Sequence, residues 1–333
     1  MKNVKIVEGT YKIRGKDTDV SGLVFPIVEE FKVGAGGGYV TVNGTAVNGF
    51  PDRNIKIKVA SPEGYELVGD DVQSTVREES DAEIVERIRE RFDMLKDMTK
   101  AVKKGDVRAM IVSGPPGVGK SHGVEEVLDR YAMMETLGGL KQHEVIKGAT
   151  SALGLYVKLY KMADKGKVVV FDDCDSIFND ELSLNILKAA LDSKKTRTIN
   201  WNTDSFKLRN EGVPDSFKFE ASAIFITNLK FDKVKGKLRE HLAALESRCH
   251  YMDLTIDTDR DKMLRIKQIT NDGMLNSYKF SEDIVQDIID FIDVNKNRLR
   301  ELSLRTVLKI ADLAKAFPNK WEAMAENTVM RRG

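Results

Sequence analysis

A glycine-rich loop between a strand and a helix is the feature that most constrains this chain. Gly-x-x-x-x-Gly-Lys-Ser follows an apolar run and precedes a helical pattern from Val124, in the stretch Ile111-Val112-Ser113-Gly114-Pro115-Pro116-Gly117-Val118-Gly119-Lys120-Ser121. Glycines let the backbone turn its N–H groups toward an anion, and the following helix adds the partial positive charge of its N-terminus. The pattern predicts a phosphate-binding loop.

The side chains of this loop indicate a triphosphate with its metal. We expect Lys120 to reach the β- and γ-phosphates, and the Ser121 hydroxyl to ligate the accompanying Mg²⁺. The predicted cofactors are therefore ATP and Mg²⁺. The residues assigned to the nucleotide are Gly114, Pro115, Pro116, Gly117, Val118, Gly119, Lys120, Ser121 and His122.

A strand that ends in acids supplies the second motif, Lys167-Val168-Val169-Val170-Phe171-Asp172-Asp173-Cys174-Asp175. Four apolar residues followed by carboxylates are typical of a buried parallel strand whose carboxyl end faces a ligand crevice. We expect Asp172 to hold Mg²⁺ through its water shell, and Asp173 to orient and polarise the attacking water. The alternative is that these acids form a helix N-cap cluster.

With these two motifs the chain resembles the AAA+ ATPases, over about residues 80–327. Ala223-Ile224-Phe225-Ile226-Thr227-Asn228 looks like the sensor-1 strand, so the resemblance implies that Asn228 helps to place the hydrolytic water beside Asp173. Ala244-Leu245-Glu246-Ser247-Arg248-Cys249 looks like the stretch that carries the arginine finger, here Arg248. The finger acts on the nucleotide of a neighbouring subunit, which implies a ring-shaped homo-oligomer, with a hexamer as the expected form. The alternative for Arg248 is a surface ion pair with Glu246.

The resemblance extends to a helical lid. Glu301–Leu308 looks like the sensor-2 helix, with Arg305 as the sensor. If Ser303 caps this helix, Arg305 lies in the first turn, where the helix dipole disfavours a cation and an anionic partner is expected. The chain departs from the family at Asp173, where most members have Glu. Because the shorter side chain changes the distance to the water, slow hydrolysis is an expectation.

The predicted fold class is α/β: an AAA+ P-loop parallel sheet with an α-helical lid, preceded by a small β-rich N-terminal domain. Short β-prone runs and turn signals place the β-rich domain, with a barrel as one arrangement, at residues 1–75. The nucleotide-binding α/β domain is predicted at 76–255 and the lid at 256–333.

Residues 70–80 have the polar, acidic character of a linker. Ser80-Asp81-Ala82-Glu83 then forms a capping box that opens a helix with the apolar stripe Ile84, Ile88, Phe92 and Leu95.

An insert at about residues 194–220 resembles the pre-sensor-1 β-hairpin of one AAA+ branch. It combines basic and aromatic side chains, namely Lys194, Lys195, Arg197, Lys207, Arg209, Trp201 and Phe206. Such a combination suits a single strand of nucleic acid. A solvated hairpin that packs its aromatics inward fits equally well. Leu155-Tyr156-Val157 allows a pore loop, although its helical spacing favours ordinary packing.

Composition limits the remaining function classes. The net charge of +1 gives no global attraction to nucleic acid or anionic membranes. No apolar run approaches the roughly 20 residues that span a bilayer, and two cysteines are too few for a disulfide framework, so a reduced, cytoplasmic protein is expected.

The leading hypothesis is a ring that uses ATP hydrolysis to move or remodel nucleic acid. The alternatives are a protein-remodelling chaperone whose residues 1–75 recruit a client, and a slowly hydrolysing nucleotide-gated scaffold. The compact layout resembles bacteriophage-encoded ATPases.

Overall fold

The computed structural model of this chain describes residues 3–13, 16–34, 36–47, 50, 53–68, 79–135 and 142–331. The chain divides into two compact units, residues 1–80 and 81–333. Most of the linker predicted at residues 70–80 lies outside the described residues. So does the predicted end of the helix after the phosphate loop, at Leu137 and the following glycine pair. The division into domains at residues 75 and 255 stays a prediction.

The first unit is an antiparallel sheet, which confirms the β-rich prediction. Its strand order is β3-β2-β6-β5-β4-β1-β7. The apolar residues of β6 are buried while Lys56 and Lys58, which alternate with them, are exposed, because successive side chains of a strand point to opposite faces. The strands are β1 (Asn3–Ile6), β2 (Thr10–Ile13), β3 (Lys16–Asp19), β4 (Val24–Gly34), β5 (Gly37–Asn43), β6 (Asn54–Lys58) and β7 (Tyr65–Val68).

The second unit contains a five-stranded parallel sheet. Its order is β14-β8-β13-β10-β9, so the strand that precedes the phosphate loop, β8, lies between β14 and β13. β8, β10 and β13 are buried throughout, as their continuous apolar runs predict. The strands are β8 (Ala109–Ser113), β9 (His143–Lys147), β10 (Val168–Asp172), β13 (Ser222–Thr227) and β14 (His250–Asp253).

Helices surround this sheet and continue into a C-terminal bundle. The stripe predicted on the first helix is buried, and the last four helices share a core of their own. No helix in the described part of the chain is apolar over a length that would cross a bilayer. The helices are α1 (Asp81–Lys104), α2 (Lys120–Glu135), α3 (Ala152–Lys161), α4 (Ser176–Asn179), α5 (Glu181–Ala190), α6 (Phe206–Asn210), α7 (Lys237–Glu246), α8 (Asp259–Ile269), α9 (Glu282–Asn295), α10 (Leu304–Ala316) and α11 (Trp321–Val329). The predicted fold class, a parallel α/β sheet with a helical lid after a β-rich domain, is confirmed.

The pore-loop interpretation of Leu155-Tyr156-Val157 is wrong. These residues lie on α3 and are buried, with Tyr156 fully inaccessible to solvent. The Tyr156 hydroxyl donates a hydrogen bond to the carbonyl oxygen of Pro214 at 2.9 Å, and its ring packs against Trp201 and Phe217. Ordinary packing, which the helical spacing favoured, explains this aromatic residue.

We predict that Tyr156→Ala lowers the free energy of unfolding by about 3–5 kcal/mol, because it leaves a cavity in the core. Phe206→Ala, a matched aromatic truncation at a side chain that is 72% exposed, is expected to change it by less than about 0.5 kcal/mol. Urea denaturation of both variants measures the difference. Equal destabilisation would contradict the packing described here.

Candidate nucleotide-binding site

Three strand ends bring the predicted polar residues to one edge of the parallel sheet. The phosphate loop follows β8, the acid pair lies at the end of β10, and Asn228 follows β13. β13 pairs with both β8 and β10, and in parallel strands all the carboxyl ends lie at the same edge. The register therefore places Asn228 between the loop and the acids.

Lys120 lies at the centre of this edge. Its ammonium is buried and donates hydrogen bonds of 2.8 Å to three oxygens, the carbonyls of Gly114 and Pro115 and Oδ1 of Asn228. An ammonium has three donors, so these bonds use all of them. Burial lowers the pKa of Lys120 to about 8, although the nearby carboxylates of Asp173 and Asp172 act in the opposite direction.

Ser121 and Asp172 form a pair that fits Mg²⁺. The Ser121 hydroxyl donates to Oδ1 of the buried Asp172 at 2.8 Å. Hydroxyl and carboxylate oxygens are the hard ligands that Mg²⁺ prefers, and one or two such groups suffice when phosphates complete the shell. These two side chains would hold the ion that arrives with a triphosphate.

A third group at the acid pair was not expected from the sequence. Nζ of Lys147 lies 3.3 Å from Oδ2 of Asp172 and 2.9 Å from Oε1 of Glu125. Lys147 is the last residue of β9 and is aligned with Asp172 in the β9–β10 register. Only the order of the strands brings this cation to the carboxylate, and that order is invisible in the sequence pattern.

Asp173 and Asn228 contact each other directly. Nδ2 of Asn228 donates to Oδ1 of Asp173 at 2.9 Å. Asp173 has a positive φ of 52°, a left-handed conformation that Asp tolerates better than most residues and that turns its side chain off the strand direction. The N-cap alternative fails for these acids, because Asp175 holds the N-cap position of α4 without a side-chain capping bond.

The helical lid contacts the phosphate loop at Gly117. The backbone N–H of Leu304 donates to the Gly117 carbonyl at 2.9 Å. Ser303 is the N-cap residue of α10 as predicted, but its side chain makes no capping bond, and its buried Oγ has no hydrogen-bond partner within the described residues. A Cβ on Gly117 would lie 2.6 Å from Cβ of Ser303, so only glycine fits at this contact.

A cavity of about 750 Å³ lies between the loop, α1 and the lid. It brings together most of the residues predicted for the nucleotide and its chemistry: Gly117, Gly119, Lys120, Ser121, His122, Asp173, Asn228 and Arg305. Gly114 and Pro115 instead turn their carbonyls to Lys120, Pro116 is exposed, and the Val118 side chain is buried in the core. The loop can offer only backbone groups to a ligand at those positions. Lining residues that the sequence did not reveal include Phe92, Arg265 and Gln268.

Arg248 lies outside this cavity. Its exposed guanidinium donates to the Ala244 carbonyl oxygen at 2.5 Å, one turn back along α7. The predicted alternative, an ion pair with Glu246, is wrong, since Glu246 pairs with Arg239 at 3.0 Å.

The insert forms the predicted hairpin with a short helix at its tip. β11 (Thr198–Asn200) pairs antiparallel with β12 (Ser216–Lys218), and α6 lies between them. Arg197 is buried and donates to two backbone carbonyls, and Trp201 packs against Tyr156. Arg209 pairs with Asp204 at 2.6 Å. The exposed members of the basic and aromatic set are Lys194, Lys195, Lys207 and Phe206, together with the paired Arg209.

The fold and the site define an α/β domain with a glycine-rich loop after β8 and a helical lid that contacts this loop. The chain is 35% identical over 251 residues, which are 74% of this chain and 76% of the relative, to an uncharacterized 36.7 kDa protein of Enterobacteria phage T4 from the nrdC–mobD intergenic region. The chain belongs to the family of that phage protein. No protein-family model matches the chain.

Several solved structures resemble the chain more distantly. Domain III of the Thermotoga maritima replication initiation protein DnaA matches at 10% identity and a TM-score of 0.42, covering 73% of this chain and 92% of its own. S. cerevisiae Hsp104 in complex with casein matches at 12% identity and a TM-score of 0.38, covering 73% of this chain and 40% of the Hsp104 chain. Drosophila ORC bound to DNA matches at 13% identity and a TM-score of 0.37, covering 78% of this chain and 68% of the ORC chain. TM-scores below 0.5 do not establish a common fold, so the description of the chain as an α/β domain with a helical lid rests on its own strand order and site.

The contact between the lid and the loop predicts energetic coupling between Gly117 and Ser303. Gly117→Ala is expected to destabilise the protein, because its φ of +69° strains an alanine and its Cβ meets Ser303. In a Ser303→Gly background the contact between the new Cβ and Ser303 is removed, so Gly117→Ala should destabilise the protein less. We expect a coupling free energy of at least about 0.5 kcal/mol between the two substitutions, measured by thermal unfolding.

Gly119→Ala is the matched control for that cycle. Gly119 also has a positive φ, but a Cβ there would meet no atom closer than 3.6 Å, so no coupling to Ser303 is expected. Additive effects at Gly117 and Ser303 would show that the lid does not rest on the loop.

Proposed function

We propose that this chain is an AAA+ ATPase that binds ATP with Mg²⁺ in the cavity and hydrolyses it. The observation that carries the proposal is the chain of hydrogen bonds from Lys120 through Asn228 to Asp173. It links a phosphate-binding lysine, a polar residue after the neighbouring strand and a carboxylate able to act on water. Such an arrangement suits hydrolysis of the terminal phosphoryl group better than simple nucleotide storage.

Each side chain has a distinct role in this proposal. Mg²⁺, held by Ser121 and Asp172, would neutralise charge on the phosphate oxygens. Lys120 exchanges its carbonyl and amide partners for the β- and γ-phosphate oxygens. Asp173 orients the attacking water, and the amide of Asn228 fixes the carboxylate of Asp173 in the required direction. Arg305, which lines the same cavity from the lid, faces the phosphates.

We assign Arg248 to the nucleotide of a neighbouring subunit in a ring-shaped homo-oligomer. Its guanidinium is exposed and does not line the cavity of its own chain. Charge spreads onto the phosphoryl oxygens in the transition state, and an arginine supplied by a neighbour is worth about 10³–10⁵ in rate. A solvent-facing arginine just after the end of α7 is available for this role.

Mixing two inactive variants tests the arrangement. Lys120→Ala is expected to abolish nucleotide binding, and Arg248→Ala to lower the ATPase rate by about 10³-fold or more. In mixed rings a Lys120→Ala subunit still donates Arg248 to a neighbour that binds ATP, so the mixture regains activity that neither variant has alone. A mixture as inactive as its components would place Arg248 outside the neighbouring site.

Nucleic acid is the substrate that the insert favours. The hairpin carries four exposed side chains of the required kinds: Phe206 and Lys207 lie on α6 at its tip, and Lys194 and Lys195 precede β11 at its base. Lysines that follow a phosphate backbone and an aromatic face on which a base stacks are the usual elements of single-strand binding. We infer that the ring moves or remodels nucleic acid through this hairpin, which resembles the pre-sensor-1 hairpin of one AAA+ branch. The compact layout of the chain adds a resemblance to bacteriophage-type ATPases.

A protein-remodelling function is the second candidate. The first unit exposes aliphatic side chains on its sheet, among them Val28, Val33 and Leu67. Exposed apolar surface of this kind can recruit a protein client. The two candidates differ in which substrate stimulates the ATPase.

Salt dependence separates contacts to phosphate from contacts to bases. For single-stranded DNA, the double variant Lys194→Ala and Lys207→Ala is expected to lower the slope of log affinity against log salt by about 0.7 per lysine. Phe206→Ala is expected to weaken binding by about 1–3 kcal/mol without changing that slope. Fluorescence anisotropy in a salt titration measures both quantities.

Lys100→Ala is the control, since this lysine lies on α1 in a pair with Asp97. It should change neither the affinity nor the slope. ATPase activity that responds to an unfolded protein such as casein and not to DNA would favour the second candidate.

A further inference from the structure

The cavity has two chemically different parts. Lys120, Ser121 and Asp173 mark the part that takes phosphates and metal. Beside charged residues such as Asp93, Lys96 and Glu126, the remaining lining contains apolar side chains from α1 and the lid, namely Phe92, Ile269, Met274, Leu304 and Leu308. A nucleotide has one charged end and one flat end with apolar faces, so the base belongs with these side chains. This step rests on the proposed nucleotide-binding function.

Arg265 of α8 is a buried cation beside these apolar side chains. Its side chain is only 7% exposed, and its guanidinium carbon lies 3.6 Å from the ring centroid of Phe92. Its Nη2 would be 3.9 Å from a Cβ placed on Gly119, the last glycine of the phosphate loop. Burial lowers the pKa of Arg265 to about 10, so the guanidinium remains charged at neutral pH.

The hydrogen-bonding capacity of Arg265 is largely unused. Nη1 donates to Oε1 of Gln268 at 2.9 Å, while the buried Nε has no partner within the described residues. A guanidinium has five N–H donors, and buried donors are normally satisfied. The carboxylates of Asp272 and Asp93 favour its charged form, but both are exposed and neither forms an ion pair with it among the described side chains. An unsatisfied donor in a ligand cavity indicates that the ligand supplies the acceptor.

The phosphates are a poorer match for this donor than the base. Lys120 and Arg305 already supply cations to the phosphate part of the cavity. The guanidinium of Arg265 instead lies over the Phe92 ring, in a cavity that Ile269 and Leu304 also line, where a triphosphate would lose its hydration. A purine base offers ring nitrogens as acceptors at its edge and tolerates apolar neighbours on its faces.

We propose that Arg265 reads the base of the bound nucleotide, donating a hydrogen bond to a ring nitrogen of a purine. Phe92 supports the guanidinium from one face, and Gln268 is a positioning residue that fixes its plane. Arg265 is therefore the residue that determines base specificity in this site. The ligand class is a purine nucleoside triphosphate.

Deaza analogues test this assignment atom by atom. The wild-type chain is titrated with the preferred purine triphosphate, ATP or GTP, and with its 1-, 3- and 7-deaza forms, each of which lacks one ring nitrogen. Displacement of a fluorescent triphosphate gives the affinities. One analogue is expected to bind about 10- to 100-fold more weakly, as for loss of a hydrogen bond to a charged group. In Arg265→Met the same analogue is expected to bind as well as its parent.

Arg89→Met is the matched control, because Arg89 also lines the cavity but is not stacked on Phe92. It should alter the affinity for parent and analogue by the same factor. Inorganic tripolyphosphate provides a second readout: its affinity should be unchanged in Arg265→Met. A weakening of tripolyphosphate equal to that of the nucleotide would assign Arg265 to the phosphates and overturn the proposal.

The wild-type series keeps the test independent of how well Arg265→Met folds. If all analogues bind the wild type as tightly as their parent, Arg265 does not read a ring nitrogen and the proposal is wrong. If no triphosphate binds at all, the proposed nucleotide-binding function fails first, so the two failures are distinguishable.

Discussion

The buried ammonium of Lys120 is the group around which the site is organised. Removing a charge from water costs several kcal/mol unless hydrogen bonds replace the lost hydration. Here two loop carbonyls and the Asn228 amide oxygen do so, and the nearby carboxylates Asp172 and Asp173 favour the charge. In the proposed complex, a triphosphate would present negatively charged oxygens to this ammonium, so that binding would replace weak acceptors with strong ones.

The rest of the fold provides the conditions for that exchange. Parallel register brings the ends of β8, β13 and β10 to one edge, and the packed strands leave little freedom for the polar residues that follow them. The lid is held to the same loop through the Leu304 N–H bond to Gly117. This bond joins the loop to α10, where Arg305 and Leu308 line the cavity.

Much of this could be predicted from the sequence, for local reasons. The phosphate loop and the acid strand are continuous motifs, and the apolar periodicity of α1 and α10 is strong enough to place both helices. In the β-rich unit, β4 has no apolar alternation by which it could be predicted, because it is mostly exposed and carries charged residues. The insert was predicted as a hairpin, but its two arginines and Trp201 could not be divided into buried and exposed groups without the fold.

The residues that escaped prediction share one physical cause. Lys147 reaches Asp172 through strand register, and Arg265 reaches Phe92 across two helices that are far apart in the chain. Neither contact leaves a spacing or a motif, since each lies in an ordinary amphipathic stretch. These contacts can be found only when it is known which strands and helices lie next to each other. The glycine-rich loop, in contrast, is recognised from eight consecutive residues.

The central claim is that a triphosphate and Mg²⁺ bind where Lys120, Ser121 and Asp172 converge. Isothermal titration calorimetry of the full chain with a non-hydrolysable ATP analogue tests it most directly. The account predicts one nucleotide bound per chain, with weaker affinity when EDTA removes the metal and a smaller effect of EDTA in Asp172→Asn. Absence of binding by the wild type, or an affinity indifferent to both Mg²⁺ and Lys120→Ala, would contradict it.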